Sequence, residues 1–466
     1  MIDLENIKHV HCIGIGGIGL SGLADIMLSD GIKVSGSDMK EGDTTDKLIE
    51  KGAVVYLGHR AKNIDSADLV VYSAAVSPDN PELKAAEEKG IPAISRAELL
   101  GNMMKNKKYS VAIAGAHGKT TTTSMISLIL NKSKKDPTIL VGGNLQEIGG
   151  NVKVGKSDYF ITEACEYRDS FLQLSPKYAI ILNIDSDHLD YFKGIEHIVQ
   201  SFETFANLVP KDGAVIAFDA NPFVSSIIKK LDKRVITFGF HDHCDYWATD
   251  IEFNHEGWPA FTIYNKDKKL CRIQLAVPGE HNIENALAAV ACCNDMGIAS
   301  DDIKSTLEKF KGTQRRFDVL GVTSGGVKIV DDYAHHPTEI SATLNATKMM
   351  PHKTLWCLFQ PHTYTRTLAL HDDFAESLML ADKIVMAEIY AAREKNTHQI
   401  SSKLILDDIK DKDPSKDAYY FDGFEEIAAF IYKYAQKDDL VITMGAGNIN
   451  KVGSRILEID AEAFMR

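Results

Sequence analysis

Short apolar runs of strand length alternate with segments of helical spacing along most of this chain. Apolar residues repeat with helical periodicity in Leu20–Asp30, and further helices are predicted to open near Lys119 and Asn282. Strands are predicted at 9–13, 32–35, 69–73, 92–95, 109–113, 159–162, 178–184, 327–330, 355–360, 383–387 and 440–444. Strands that alternate with helices form parallel sheets covered on both faces, so the pattern predicts an α/β protein.

The chain is too long for a single hydrophobic core. At about 150 residues per domain, its 466 residues predict three domains. The polar stretch Lys105-Asn-Lys-Lys108 is a candidate linker between the first two. We predict a Rossmann-like domain at 1–106, a P-loop ATPase-type domain at 107–315 and a second Rossmann-like domain at 316–466.

The composition is that of an ordinary globular protein, with 44% hydrophobic and 25% charged residues. A net charge of −13 without a long basic run argues against binding to nucleic acid or to anionic membranes. The apolar runs are too short to cross a bilayer, and residues 1–10 contain no signal-peptide hydrophobic segment. Seven scattered cysteines suit a reducing compartment, so a cytoplasmic location is expected.

One short segment combines potential metal ligands. His241, His243 and Cys244 lie close together in a polar, turn-like stretch between predicted elements. A metal site is one interpretation of this segment, and an ordinary surface loop is the favoured one.

A glycine-rich turn follows the first predicted strand. Gly14-Ile-Gly16-Gly17-Ile18-Gly19 has the spacing of a dinucleotide fingerprint, in which the chain turns tightly and its backbone approaches a phosphate group. Asp38 ends the next strand, where an acid can accept from a ribose hydroxyl. On these residues alone, NAD or FAD binding and a purely structural turn both remain open.

A second glycine loop lies between the strand at 109–113 and an apolar helix. In Gly115-Ala-His-Gly118-Lys119-Thr120, backbone N–H groups at the helix N-terminus can bind phosphate. Lys119 would reach the outer phosphates, and Thr120 would offer its hydroxyl to magnesium. Two residues separate these glycines where the usual P-loop has four, so a chance match in an ordinary turn remains the alternative.

Polar side chains follow the central strands. Glu163 ends one strand and is a candidate magnesium ligand, because Mg²⁺ prefers carboxylate oxygens. His188 follows another, and it either binds metal or caps the next helix. Asn282 and Asn285 share a helix face, where their amides either contact adenine or cap the helix.

Two arginines lie at the boundary between the second and third predicted domains. Arg315 and Arg316 carry guanidinium groups that can stabilise a phosphoryl group in transfer, although a solvated surface pair is the alternative. The last domain also contains Asp331-Asp-Tyr-Ala-His-His-Pro337 and Gln360-Pro-His-x-Tyr-x-Arg366.

In their order, these motifs resemble those of the Mur ligases of peptidoglycan synthesis over essentially the whole chain. The resemblance is carried by the two glycine loops, Glu163-Ala-Cys-Glu, Asp187-His-Leu-Asp190, His281-Asn-x-x-Asn285, Arg315-Arg-Phe, and the two C-terminal motifs. In this family the short loop spacing is normal. Two departures are Ala116, where many family loops carry Thr, and Thr363, where some members carry a further Arg.

The resemblance implies a role for each candidate residue. It implies that the N-terminal loop holds a UDP-sugar diphosphate and not a redox dinucleotide. The UDP-sugar site would comprise Gly16, Gly17, Ile18, Gly19, Asp38 and Ser73. The ATP site would comprise Gly115, Ala116, His117, Gly118, Lys119, Thr120, Thr121, Asn282, Asn285, Arg316 and Asp332. Thr120, Glu163 and His188 would bind two magnesium ions, and Tyr333, His335 and Arg366 would bind the amino acid.

The implied activity is ATP-dependent ligation of L-alanine to the lactyl carboxylate of UDP-N-acetylmuramate through an acyl phosphate. Lys119 and Arg316 would stabilise phosphoryl charge, and His335 would act as the base for the amine, with substrate binding alone as the alternative for His335. Other possibilities are a Mur-type ligase that recycles peptides, a Rossmann oxidoreductase and a P-loop regulatory or motor ATPase. We expect small-molecule partners only, and a monomer or weak homodimer.

Overall fold

A computed structural model describes residues 4–189, 191–392 and 394–464 of the chain. Its strands form three separate sheets, one in each third of the sequence. Helices pack against all three, so the predicted three-domain α/β architecture is confirmed. The boundaries at 106/107 and 315/316 stay predictions. Within the described residues, no helix combines the length and hydropathy needed to cross a membrane.

The first sheet is wholly parallel. Its strands and helices are β1 (His9–Ile13), α1 (Ile18–Ser29), β2 (Lys33–Asp38), α2 (Asp43–Glu50), β3 (Val54–Leu57), β4 (Leu69–Tyr72), α3 (Pro81–Lys89), β5 (Ala93–Ser95) and α4 (Arg96–Lys105). The strand order is β3-β2-β1-β4-β5, with β1 at the centre. The glycine turn therefore lies at the carboxyl end of the central strand, where α/β sheets bind ligands.

The central sheet is larger and mixed. Its elements are β6 (Tyr109–Ala114), α5 (Lys119–Lys132), β7 (Thr138–Leu145), β8 (Gly150–Lys153), β9 (Tyr159–Glu163), β10 (Tyr178–Ile181), α6 (Ile195–Asn207), β11 (Ala214–Phe218), α7 (Pro222–Ile228), β12 (Val235–Gly239), β13 (Tyr246–Phe253), β14 (Pro259–Asn265), β15 (Lys268–Gln274), α8 (His281–Asp295) and α9 (Ser300–Leu307). The order is β15-β14-β13-β12-β11-β10-β6-β9-β7-β8. Antiparallel pairs lie at both edges, and the interior strands are parallel.

The third sheet is parallel except at one edge. Its elements are β16 (Asp318–Val322), β17 (Lys328–Asp332), α10 (Pro337–Thr347), β18 (Leu355–Phe359), α11 (Tyr364–Leu378), β19 (Lys383–Met386), α12 (Lys403–Lys412), β20 (Asp417–Tyr420), α13 (Phe424–Tyr434), β21 (Leu440–Met444) and α14 (Asn450–Phe464). The order is β16-β17-β21-β18-β19-β20. A wholly parallel sheet was the wrong prediction here, because the short turn at 323–327 returns β16 antiparallel to β17.

The strand before the second glycine loop is buried on both faces. Val111 and Ile113 pack with α5 and α8, while Ala112 and Ala114 face a core shared with the N-terminal domain. This double burial explains the continuous apolar run of β6. Ladder pairing sets Ile113 opposite Glu163, so the ends of β6 and β9 lie side by side.

Candidate active site

The second glycine loop is held in shape by residues from neighbouring elements. Gly118 has a φ of +83°, and a Cβ there would collide with the Asn285 side-chain oxygen. The backbone N–H of His117 donates to Asn183 Oδ1 at 2.8 Å, and Asn183 Nδ2 donates to the His117 carbonyl at 3.1 Å. The loop is therefore fixed at the N-terminus of α5, with the geometry that phosphate binding requires.

Lys119 is engaged by an internal carboxylate. Its Nζ lies 3.0 Å from Glu166 Oε1 and also donates to the carbonyls of Gly115 and Ala116. Burial raises the pKa of Glu166, but the charge of Lys119 together with the hydrogen bond and charge of His188 outweighs this effect, and the net pKa is lowered. A phosphate group that binds Lys119 must therefore compete with Glu166.

Thr120 and Glu163 lie beneath the same backbone segment. A Cβ on Gly142 would lie 2.7 Å from Glu163 Oε2, and one on Gly143 would lie 3.1 Å from the Thr120 methyl group. The N–H of Gly142 donates to Glu163 Oε1 at 2.6 Å. The Thr120 hydroxyl and the Glu163 carboxylate would offer oxygen donors, the type that magnesium prefers. That they share one ion stays a prediction.

His188 belongs to a second potential ligand cluster. Its Nε2 lies 3.5 Å from Glu166 Oε1 and 3.8 Å from Asp187 Oδ2. The next helix, α6, begins at Ile195, so His188 does not cap it. The capping interpretation is therefore wrong, and the metal role of His188 stays a prediction. Asp190, from the same motif, lies outside the described residues.

A cavity of about 560 Å³ opens next to the loop, between the central and C-terminal domains. Asn282 and Asn285 line it from the first turn of α8, whose N-cap is Glu280 and not either asparagine. Asn285 Nδ2 donates to Asn282 Oδ1 at 3.1 Å, and Thr122 donates to Asn285 Oδ1. The amides thus form a fixed polar pair on a largely apolar wall, as adenine binding requires. Other lining residues include His117, Gly118, Thr121, Phe218, Val277, Phe310, Arg316 and Asp332.

Glu284 also lines this cavity. Burial, followed by the nearby charge of Glu280, raises the pKa of Glu284 to about 7 from an ordinary 4.5. The folded chain therefore holds this carboxyl protonated up to about pH 7. The contribution of Glu284 to folding stability is complete below pH 4.5 and is lost as the pH rises through 7.

The variant Glu284→Gln should consequently be stabilised at alkaline pH. Relative to the native chain, we expect its gain in unfolding free energy at pH 8 to exceed the gain at pH 5 by about 2 kcal/mol. Denaturant unfolding at both pH values measures this difference. The exposed Glu147 provides the control Glu147→Gln, for which the gain should not depend on pH. An equal effect of Glu284→Gln at both pH values would contradict the raised pKa.

The two adjacent arginines at the domain junction do not form a solvated surface pair. Arg315 Nε lies 3.1 Å from Asp331, and its NH2 donates to the Gly445 carbonyl at 2.6 Å. Both guanidinium groups lie over the Tyr333 ring, at 4.9 and 5.0 Å. Arg316 lines the cavity together with His117 and Gly118 of the glycine loop.

Asp332 lines the same cavity from the end of β17. It accepts hydrogen bonds from the backbone N–H groups of Phe317 and Ala334, at 2.8 and 2.7 Å. Burial raises the pKa of Asp332 to about 6. Its predicted contact with the ATP ribose stays a prediction.

Glu339 joins the two domains, although the sequence analysis did not single it out. Its carboxylate lies 3.2 Å from His117 Nδ1, 3.1 Å from His335 Nδ1 and 3.8 Å from Arg316 NH1. Burial lowers the pKa of His117, but hydrogen bonds to Asp185 and Glu339 outweigh it and raise the pKa to about 9. A protonated His117 thus ties the glycine loop to α10.

The predicted amino-acid residues form a row along the C-terminal domain. The His335 ring meets Tyr333 on one side and His362 on the other, at centroid distances of 5.3 and 6.1 Å. His362 Nδ1 in turn accepts from Arg366 NH1 at 3.3 Å. The structure therefore brings together Tyr333, His335 and Arg366, as the sequence predicted.

Arg366 crosses to the central domain. Its NH2 donates to Asp187 Oδ1 at 2.7 Å, and both side chains are almost fully buried. Together with Thr363 they line a small cavity of about 160 Å³. Thr363 has a φ of +71°, a strained conformation for a β-branched residue and one that often marks a functional site.

The N-terminal domain has its own cavity, of about 740 Å³. Gly16, Gly17, Asp38 and Ser73 line it, whereas Ile18 and Gly19 begin α1 at its side. Asp38 Oδ2 accepts from the Gly16 N–H at 2.8 Å, so this carboxylate also fixes the glycine turn.

Arg96 places a cation beside this turn, and it was not among the residues predicted from the sequence. A Cβ on Gly19 would lie 3.0 Å from Arg96 NH1. The residue begins α4, which is capped by the reciprocal Ser95 and Glu98 hydrogen bonds. The sequence Ser-Arg-Ala-Glu is a capping-box signature, so it could have revealed this helix start.

Comparison with known proteins places these features in a family. The N-terminal third, residues 9–108, matches the model of the Mur ligase family catalytic domain. Residues 113–293 match the Mur ligase middle domain, and residues 315–447 match the Mur ligase glutamate ligase domain. The UDP-N-acetylmuramate–L-alanine ligase of Caldanaerobacter subterraneus subsp. tengcongensis is 51% identical, over 98% of this chain and 99% of that protein. The chain belongs to the Mur ligase family.

Other Mur ligases agree in sequence and in fold. The UDP-N-acetylmuramate–L-alanine ligase of Alkaliphilus metalliredigens is 50% identical, over 98% of both chains. The crystal structure of UDP-N-acetylmuramate-alanine ligase from Thermotoga maritima superposes with a TM-score of 0.80 at 29% identity, covering 98% of this chain and 100% of that one. A murein peptide ligase from Psychrobacter arcticus gives a TM-score of 0.71 at 25% identity, over 97% and 98%.

Proposed function

We propose that this Mur ligase joins L-alanine to the lactyl carboxylate of UDP-N-acetylmuramate and converts ATP to ADP and phosphate. The observation that carries the proposal is the identity of about one half, over nearly the full length, with relatives named for that reaction. The oxidoreductase and motor ATPase alternatives do not suit a member of this family. We also propose a cytoplasmic location, because seven scattered cysteines suit a reducing compartment.

In the first step the lactyl carboxylate attacks the γ-phosphorus of ATP. Two anions must approach each other, so the main requirement is compensation of charge. Lys119 supplies a cation from the glycine loop, and Arg316 supplies one from the wall of the neighbouring cavity. ADP leaves, and the product is an acyl phosphate on the sugar nucleotide.

In the second step the amino group of alanine attacks the acyl carbon, and phosphate leaves. The amine must lose a proton, and His335 is the candidate base. Its Nδ1 faces Glu339, which orients the ring, whereas the structure gives Nε2 no hydrogen bond within the described residues. Arg366 would hold the alanine carboxylate in a two-point contact.

Thr120 and Glu163 are proposed to hold one magnesium ion, and His188 with Glu166 and Asp187 a second. Bound magnesium would neutralise charge on the phosphate oxygens. In the second set, Glu166 lies 3.0 Å from Lys119. In the first set, Glu163 is paired with Ile113 of β6, the strand that leads into the glycine loop.

Peptide recycling is the nearest alternative within the family. It predicts that a peptide replaces alanine as the nucleophile. The small size of the cavity beside Arg366 favours alanine, and so does the identity of 51% and 50% to relatives named for alanine ligation, against 25% to the murein peptide ligase.

Phosphate release from ATP and UDP-N-acetylmuramate tests the proposal directly. We expect release that depends on L-alanine and is weaker with glycine, with L-serine or with a murein tripeptide. A substrate labelled with ¹⁸O in the lactyl carboxylate should transfer one labelled oxygen to phosphate. Preference for the tripeptide, or phosphate without label, would refute the corresponding part of the proposal.

Removal of the His188 imidazole should raise the magnesium requirement. In His188→Ala, we expect the magnesium concentration for half-maximal activity to rise by at least roughly 10-fold, because a ligand position is lost. A magnesium titration at saturating substrates measures this change. His197→Ala, on α6 and outside the cluster, is the matched control. Unchanged magnesium dependence in His188→Ala would contradict a metal role for His188.

A further inference from the structure

A group of metal-binding side chains lies on the central domain, apart from the predicted catalytic residues. Asp219 directly follows β11, and His243 and Cys244 lie in the loop between β12 and β13. His243 Nε2 lies 2.8 Å from Asp219 Oδ2, and the buried Cys244 thiol faces both. One ligand atom from each residue lies within 4.8 Å of the others.

Backbone contacts hold the group in place. Asp219 N donates to the Phe238 carbonyl at 3.1 Å, because β11 and β12 are paired in parallel. Cys244 N donates to the His241 carbonyl at 3.0 Å and closes the loop. The His241 ring stacks on His243, with centroids 5.5 Å apart and planes at 17°.

The donor set indicates which metal it fits. A thiolate, an imidazole and a carboxylate match zinc and similar divalent transition metals, whereas magnesium prefers oxygen ligands alone. The two clusters near the glycine loop, Glu166/Asp187/His188 and His117/Asp185/His336, contain no sulfur. The thiol therefore distinguishes this group chemically from the proposed magnesium sites.

We propose that Asp219, His243 and Cys244 bind one divalent transition-metal ion of the zinc class. Ligand atoms around a tetrahedral zinc lie about 3.5 Å apart. His243 Nε2 and Asp219 Oδ2, which are 2.8 Å apart, must therefore separate slightly, and the Cys244 sulfur lies within 4.8 Å of both. His243 can move, since its side chain is 61% exposed. Cys244 loses its thiol proton to solvent on binding, and water completes the coordination.

The location of this site connects it to the nucleotide cavity. Phe218 and Asn221, which flank Asp219 in the sequence, both line the cavity between the central and C-terminal domains. A metal held by Asp219 would therefore lie directly behind the cavity wall. The sequence interpretation of 241–244 as a surface loop is compatible with this, because Asp219 comes from a different strand.

Titration of the full chain with Co²⁺ in saturating Mg²⁺ tests the proposal. Tetrahedral Co²⁺ bound to a thiolate gives an intense near-ultraviolet charge-transfer band and visible d–d bands. We expect these bands at one Co²⁺ per chain, and their loss on addition of Zn²⁺. Absence of the charge-transfer band in the native chain would overturn the proposal.

Two variants and a control assign the ligands. Cys244→Ser should abolish the charge-transfer band, and His243→Ala should keep the thiolate but weaken Co²⁺ affinity by more than roughly 10-fold. Cys271→Ser, which removes a half-buried thiol on β15, should leave the spectrum unchanged. Circular dichroism melts establish that each variant is folded. A band that persists in folded Cys244→Ser, or unchanged affinity in His243→Ala, would overturn the assignment.

Discussion

Replacing Lys119 with alanine lowers ligation below detection, or by at least roughly 10³-fold, and leaves UDP-N-acetylmuramate binding near the native value. The reason is that Lys119 opens α5 of the central domain, whereas the cavity around Gly16 and Asp38 lies in the N-terminal domain. Phosphate release measures the first effect, and calorimetric titration with the UDP-sugar measures the second. Equal losses of affinity for ATP and for the UDP-sugar would contradict separate sites.

The ion pair of Lys119 requires a control for stability. Lys119→Ala leaves the buried Glu166 carboxylate without its partner, a change that typically destabilises a protein by 3–5 kcal/mol. The double variant Lys119→Ala/Glu166→Gln removes that unpaired charge and should melt near the native temperature while remaining inactive. Lys132→Ala, at the exposed end of the same helix, should retain full activity.

Replacing Arg366 with alanine should raise the KM for L-alanine by roughly 10- to 150-fold, the equivalent of about 1.5–3 kcal/mol for a charged hydrogen bond. A free carboxylate is best held by a planar guanidinium, and Thr363 stands where some relatives carry a second arginine. Arg366→Lys should recover little of the loss, since an ammonium group cannot make the two-point contact. Affinity for ATP and for the UDP-sugar should largely survive. Initial rates at varied alanine concentration measure the effect.

Asp187 makes this experiment more informative. Because Arg366 already pairs with Asp187, its removal also unpairs a buried carboxylate across the domain junction. Because Asp187 is also a proposed magnesium ligand, Arg366→Ala/Asp187→Asn is compared with Asp187→Asn alone at saturating magnesium. This comparison separates the loss of the alanine contact from the other effects. The half-buried Arg455 on α14, which pairs with Glu425 far from the site, supplies the control Arg455→Ala, which should keep the native KM. An unchanged alanine KM in Arg366→Ala would show that the carboxylate is held elsewhere.

The sequence predicted the local parts of the site well. The strand at 109–113 and the helix from Lys119 follow from an apolar run, a glycine loop and helical spacing, and the structure has β6 and α5 there. Parallel strands bring their carboxyl ends to one edge, so Glu163 could be expected near the loop. The motif order also led to the correct family.

The contacts between distant segments could not be predicted in the same way. The apolar run to Ile184 predicted a strand that includes Asn183, but β10 ends at Ile181. Asn183 therefore lies beyond the strand, where its side chain hydrogen-bonds to the glycine loop. Glu339 contacts His117 only because the central and C-terminal domains pack together. The hydrophobic pattern and the motif spacing of the sequence do not predict how these domains pack. The antiparallel strand β16 was missed because its turn at 323–327 was not recognised as a hairpin.

In the second glycine loop, the Lys119 ammonium group that is proposed to bind phosphate is already paired with the Glu166 carboxylate. Nucleotide binding must then replace the contact between the Lys119 ammonium group and Glu166 by a contact with phosphate. The net binding free energy of the nucleotide is therefore smaller than the free energy of the phosphate contact itself. A phosphate-mimicking inhibitor must displace Glu166 before it gains anything from Lys119. A compound that fills only the apolar cavity beside Asn282 and Asn285 can leave that pair intact. For inhibitor design, the cavity beside Asn282 and Asn285 is therefore the better target, because a ligand there need not break the ion pair.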